Sequence, residues 1–232
     1  MRISIARLFS VAFVAALAGT AYAQSIPVLN WTFSDLPNGV STSTWTAYDP
    51  PVTNGIPDWT AVGGGGNWNN DYGQVVPSGF GSLYSTPAPG GTKTAGYTNS
   101  ATLEQQVGTV QPGYYDLVLS VSIGHNTAWS QDGWAALEIG TDPLVYATCV
   151  PSGVGEWETC TASTVVSGDV GQAITIELGT NVAGGNTGVQ GDYTNVTLHA
   201  PEGGSQIGYL LLAGLCCFGA VFASRKQLSS RA

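Results

Sequence analysis

The sequence predicts an all-β fold, a jelly-roll β-sandwich. Apolar and polar residues alternate over several short runs, turn residues cluster between those runs, and no amphipathic helix of useful length interrupts them. The clearest run sets Tyr115, Leu117, Leu119, Val121 and Ile123 against Tyr114, Asp116, Val118, Ser120 and Ser122. Ala135, Leu137 and Ile139 repeat the period. So do Ile174, Ile176 and Leu178, with Thr175 and Glu177 facing away, and Val196 with Leu198 ends the series. A period of two means strands with one face in a core. Gln111-Pro112-Gly113, Gln131-Asp132-Gly133, Ser167-Gly168-Asp169 and Ala183-Gly184-Gly185-Asn186 read as turns. Eight or more short antiparallel strands close into two packed sheets.

Residues 28–33 also read as a strand. The Pro-, Gly- and Trp-rich stretches after it, to about Gly91, read as long loops, where binding sites sit on a rigid sandwich. Trp31, Trp59, Trp134 and Trp157 lie in or beside strand patterns and are expected in the core.

Composition narrows the class. Of 232 residues, 43% are hydrophobic and only 9% charged, against about 25% charged in ordinary soluble domains. Coiled coils, helical bundles and disordered polyelectrolytes need far more charge. The 32 glycines follow no Gly-X-Y period, which excludes collagen. All 15 acidic residues fall between Asp35 and Glu202. Residues 24–200 hold 14 of them against Lys93 alone, a net of −13. Such a field repels phosphate, so nucleic acid and anionic lipid are excluded as partners. Calcium, neutral sugars and cationic partners are compatible with it.

Both ends are hydrophobic. Residues 1–23 read as a secretory signal: Arg2 and Arg7 precede a short apolar stretch, and Ala21-Tyr22-Ala23 offers a small-x-small site, with cleavage between Ala23 and Gln24. Residues 24–200 form the exported domain and 201–206 a linker. Residues 207–223 carry no charge and match the lower limit of a membrane-spanning helix. The basic tail 224–232, with Arg225 and Lys226, is expected on the cytoplasmic side, which puts the domain outside. Pro201-Glu202-Gly203-Gly204, the apolar span and the Arg225-Lys226 cluster together resemble the PEP-CTERM class of bacterial sorting signals. The family's Pro-Glu-Pro reads Pro-Glu-Gly here. That resemblance implies an exosortase-like processing partner, and leaves open whether the tail anchors the chain or is removed.

Cys149 and Cys160 lie in the exported domain, in an oxidising compartment, with Pro151, Gly153 and Gly155 between them. A disulfide across a hairpin is expected. No Cys-x-x-Cys or Cys/His spacing points to zinc. Cys216 and Cys217 sit within the apolar span.

Several segments together resemble a galactose-binding-like, carbohydrate-binding-module-like jelly roll. These are Asn30-Trp31-Thr32-Phe33-Ser34, Ile56-Pro57-Asp58-Trp59, Thr102-Leu103-Glu104-Gln105-Gln106-Val107, Gln111-Pro112-Gly113-Tyr114-Tyr115-Asp116-Leu117 and Tyr193-Thr194-Asn195-Val196-Thr197-Leu198. The resemblance spans most of residues 28–199. It implies a structural calcium held by an acidic residue of the opening motif and another of the closing strand, but this chain has Ser34 and Thr194 there.

Two segments stand out as candidate sites. In the Gly-rich run from Gly63 to Gly73, Trp68 and Tyr72 could stack on a sugar ring, with Asn69 and Asp71 orienting its hydroxyls. Asn67, Asn69 and Asp71 alternate as calcium ligands can, though an EF-hand would want Gly one position earlier and a distal Glu. The third reading is a turn-rich loop whose Trp tucks onto the sandwich. The second segment, His125 to Asp132, combines Asn126, Trp129 and Asp132 in the same chemistry, and also reads as a polar connection with a packed Trp.

No Gly-x-Ser-x-Gly elbow or zinc-protease histidine pair exists, and His125 and His199 are the only histidines. The expectation is an exported, non-catalytic protein of the cell surface or matrix that binds extracellular polysaccharide. It needs no cofactor, with calcium left open. The alternatives are a structural envelope or biofilm protein without a small ligand and, less favoured, a carbohydrate-active hydrolase.

Overall fold

A computed structural model describes residues 23–35, 45–48, 55–63, 72–75, 77–127, 130–131, 133–149, 153–180 and 189–201. They form a β-sandwich of two sheets. The elements in chain order are β1 (Gln24–Ile26), β2 (Trp45–Tyr48), β3 (Thr60–Gly63), β4 (Tyr72–Val75), α1 (Pro77–Leu83), a 3-10 turn (Pro89–Gly91), β5 (Ala95–Thr98), β6 (Ala101–Thr109) and β7 (Asp116–Gly124). After them come β8 (Ser130–Gln131), β9 (Gly133–Ile139), β10 (Val145–Tyr146), β11 (Trp157–Val165), β12 (Ala173–Thr180) and β13 (Val189–Ala200).

The larger sheet runs β11-β7-β13-β5-β4-β2, with β1 and β8 also paired to β13; the smaller runs β10-β9-β12-β6-β3. Every pairing is antiparallel except that of β8, which lies parallel to β13. The alternation read from sequence sets the core. Leu117, Leu119, Val121, Ala135, Leu137, Ile174, Ile176, Leu178, Val196 and Leu198 are fully buried between the sheets. Each buried leucine or isoleucine contributes about 1.5–3 kcal/mol over an exposed one.

Three expectations change. Residues 29–33 form a turn rather than a strand, with Asn30 at φ 44° and Phe33 at φ 55°. The Asn30 amide causes it: its Oδ1 accepts from Asp35 N (3.1 Å) while its Nδ2 donates to Pro57 O (3.0 Å). The turn drives Phe33 into the core against Trp59 and leaves Trp31 45% exposed, so Trp31 is not a core residue. Trp59 is buried as expected. The stretch read as long loops up to Gly91 in fact contains β2, β3, β4 and α1.

The short α1 lies over the outer face of the larger sheet and builds a second core there from Val75, Phe80, Leu83, Tyr84, Ala88, Ala95 and Tyr97, with Trp157 packed against it. Cys149 and Cys160 form the expected disulfide, a bond compatible with an extracellular location. Among the described residues no helix is long and apolar enough to cross a membrane. Residues 1–22 and 202–232, with most of the signal and the sorting tail, lie outside the described residues.

Candidate functional site

Strand register places the sequence-chosen segments at one end of the sandwich. β3 ends at Gly63 opposite Ala101, and β4 starts at Tyr72 opposite Thr98, which pairs in turn with Gly191. β7 ends at Gly124 opposite Asp192, and Gln131 pairs with Gln190. Tyr72 is therefore two strand spacings from Gly191, about 10 Å. The connections 64–71, 125–132 and 181–188 all spring from this end.

Trp68, Asn69, Asp71, Trp129 and Asp132 lie outside the described residues. Tyr72 is only 4% exposed, part of the main core, and offers no open stacking face. Asn126 is also buried. Its Nδ2 donates to Asp192 Oδ2 (2.6 Å), and Gln190 Nε2 donates to Asp192 Oδ1 (2.6 Å). Register lines up Tyr97, Asp192, Gly124 and Trp157 across four strands beneath α1. Tyr84 and Trp157 fill the space that a side chain at Gly124 would need. The Tyr84 hydroxyl makes no hydrogen bond of normal geometry. Burial, and then the Asp192 carboxylate nearby, pushes its phenol well above the usual range. This is a buried polar knot that ties β13 to the loop end.

An accessible array lies on the outer face of the smaller sheet. Trp134 has the opposite parity to the buried Ala135, Leu137 and Ile139, so it points outward and is half-buried there rather than in the main core. Its indole lies across Gly179 on the paired strand, where a Cβ would fall 2.9 Å from Cε2 and 3.0 Å from Cη2. Only glycine leaves room for the ring to lie flat. Tyr146, 56% exposed, meets Trp134 edge-on with centroids 5.4 Å apart.

The next row across the sheet reads Tyr146, Ala136, Glu177, Glu104 and Thr60, and the row after it Glu138, Thr175 and Gln106. Glu104 and Glu177 carry carboxyls raised from the usual range. For Glu104 the causes are desolvation by burial, then Glu138; for Glu177 they are burial, then Glu104, then Glu138. Among the described residues, no lysine or arginine pairs with these three carboxylates. Two aromatic rings beside clustered acceptors, with hydroxyls and an amide alongside, suit a neutral polyhydroxylated ligand.

Sequence reasoning passed over Trp134, Tyr146, Glu104, Glu138 and Glu177. The parity of Trp134 and of Glu177 within their own alternating runs was the signal for this face. Ser34 and Thr194, at the positions where the resemblance implies calcium, both turn toward Thr32. Thr32 Oγ1 donates to Ser34 Oγ (3.0 Å) and Thr194 Oγ1 to Thr32 O (3.4 Å).

No protein-family model matches the chain, and no curated protein matches it. Among solved structures, the chain is similar to Fisc, a Stig cyclase from Fischerella sp. TAU solved in complex with (3Z)-3-(1-methyl-2-pyrrolidinylidene)-3H-indole. The TM-score is 0.57 at 21% identity, over 77% of this chain and 98% of that one. The likeness is one of fold. The CBM22-1 xylan-binding domain of Paenibacillus barcinonensis Xyn10C aligns with a TM-score of 0.43 at 11% identity, over 79% of this chain and 99% of that one. The C-terminal CBM6 of the Zobellia galactanivorans laminarinase LamC aligns at 0.32 and 12% identity, over 55% and 98%.

Proposed function

We propose that the protein is an exported, non-catalytic jelly-roll domain that binds extracellular polysaccharide, sorted to the cell surface by its C-terminal tail through an exosortase-like enzyme. The observation that carries this reading is the outer face of the smaller sheet. There Trp134 lies flat on Gly179 beside Tyr146, with Glu177, Glu104 and Glu138 in the adjoining rows. A sugar ring presents C–H groups to an indole face and hydroxyl donors to carboxylates, so stacking and orienting hydrogen bonds act together. The glycan crosses the strands where Trp134 of β9 faces Gly179 of β12. A domain of net −13 with a single lysine binds such a ligand without attracting phosphate.

The test is a titration of purified protein against a panel of polysaccharides, with and without calcium. Saturable binding that Trp134→Ala weakens supports the reading. Saturable binding untouched by Trp134→Ala moves the site to the loops, and no binding to any glycan refutes the reading in favour of a structural envelope role.

A further inference from the structure

We propose that the chain, once its disulfide is reduced, holds one thiophilic divalent cation of the zinc type through Cys149, Cys160 and Glu158, with His125 bonded to Glu158 from behind. A bridge between Thr148 and Thr161, with N–H···O distances of 2.9 and 3.1 Å, sets Cys149 directly across from Cys160, and their Cα atoms are 4.3 Å apart. Glu158 lies two residues before Cys160 in β11, so both side chains leave the same face of the sheet. The two sulfurs and a Glu158 carboxylate oxygen all fall within 4.8 Å of one another. His125 follows β7, the neighbour of β11, and its Nε2 is 3.0 Å from Glu158 Oε1.

A second observation points to a missing ligand. The Glu158 side chain is only 9% exposed, and its Oε2 has no hydrogen-bond partner. A buried carboxylate oxygen left unmatched is costly, and a cation shared with the neighbouring sulfurs would satisfy it. Two thiolates and a carboxylate are three ligands of the kind zinc accepts, with solvent as the fourth, while the sulfurs select against calcium and magnesium. The His125 side chain, 21% exposed, leaves a path from solvent.

The chemistry balances with a dithiol as reductant. It supplies two electrons and two protons, the S–S bond breaks into two thiols, and the dithiol leaves as its own disulfide. Cation binding then releases the two thiol protons to solvent, and His125 orients the Glu158 carboxylate from its other oxygen. In the oxidised chain the sulfurs are committed to each other, so disulfide and cation are exclusive cross-links of the same two segments. This site is separate from the proposed glycan face and does not depend on it.

The experiment uses the full chain carrying Cys216→Ser and Cys217→Ser, so that only the Cys149–Cys160 pair supplies thiols. Oxidised and phosphine-reduced samples are titrated with cobalt(II) as a spectroscopic probe, and then with zinc. The reduced chain is expected to bind one cobalt, with thiolate charge-transfer absorption and intense tetrahedral d–d bands that zinc abolishes, while the oxidised chain shows neither. Glu158→Gln and His125→Gln are each expected to weaken zinc about tenfold or more. Their oxidised forms are compared with the parent by circular dichroism. Zinc protection of Cys149 and Cys160 from alkylation in the parent, mapped by mass spectrometry, gives a readout independent of how the variants fold. Equal binding by the oxidised chain, no binding by the reduced chain, or unchanged affinity in both variants would overturn the proposal.

Discussion

Gly124 and Gly179 each lie beneath an aromatic ring, yet the same substitution at the two positions is expected to have different consequences. A Cβ at Gly124 would fall 2.8 Å from Tyr84 Cε1 and 2.9 Å from Trp157 Cη2 and Cζ3, about 0.5 Å inside the 3.4 Å where ordinary contact begins. Neither ring can yield, because Trp157 is stacked on Phe80 at 5.7 Å and 5°, and Tyr84 is wedged against both. Gly124→Ala therefore sits in the upper part of the overpacking range, about 2–3 kcal/mol. At about 2–4 °C per kcal/mol for a chain of this size, the melting temperature drops by about 4–12 °C.

At Gly179 the overlap with Trp134 is at least as severe, but that ring is half-buried and, among the described residues, its aromatic neighbour is Tyr146, which meets it edge-on. The indole can lift, so Gly179→Ala costs about 1 kcal/mol, the low end of the same range. The tilted ring should lose glycan affinity out of proportion to that small loss. Thermal and denaturant unfolding of both variants, with a glycan titration of Gly179→Ala, checks the contrast. Equal destabilisation by the two substitutions would mean that Trp134 is clamped like Trp157, and the reasoning that makes it an available platform would fail.

Three other outcomes follow from the same structure. Glu177 has a raised carboxyl, so its proton is favoured in the folded state. That stabilisation is complete below the unfolded carboxylate pKa and is lost as pH rises through the higher folded value. Glu177→Gln should therefore raise the melting temperature at pH 7 and leave it unchanged near pH 4, and paired melts read this directly. Cys149 and Cys160, 11 residues apart, close a loop whose constraint is worth about 3 kcal/mol in the chain-entropy model, so Cys160→Ser should lower stability by that order in metal-free denaturant unfolding. Asp192→Asn puts an amide N–H against one of the two amides that now donate to the carboxylate, and should cost about 1–3 kcal/mol in the same measurement.

The sheet interior was legible because a period of two survives wherever one face is dry. Leu117 to Ile123, Ile174 to Leu178 and Val196 to Leu198 all fell where the pattern put them. The cysteine pair was legible from its spacing and the turn residues between. The turn at Asn30 was not, because apolar neighbours mask a side-chain amide that captures Asp35 and Pro57. The second core was hidden as well. Phe80 and Tyr84 sit in a Gly- and Pro-rich stretch, and Asp192 and Asn126, which lie beside Tyr84, look solvent-facing in the linear pattern. Asn126 was singled out for its chemistry, and the structure gives it a buried structural bond. The size and hydrophobicity of Trp134 suggest a core residue, but its position one residue before the buried Ala135 sets it on the outer face.

The most direct measurement is the affinity of Trp134→Ala, beside the parent protein, for the polysaccharide that the parent binds best. The account expects a loss of about 1–3 kcal/mol of binding, roughly fivefold to over a hundredfold, the scale of one aromatic stacking contact with its buried area. It also expects a melting temperature within a few degrees of the parent. Unchanged affinity in a folded Trp134→Ala protein would contradict the assignment of the outer face of the smaller sheet as the binding surface.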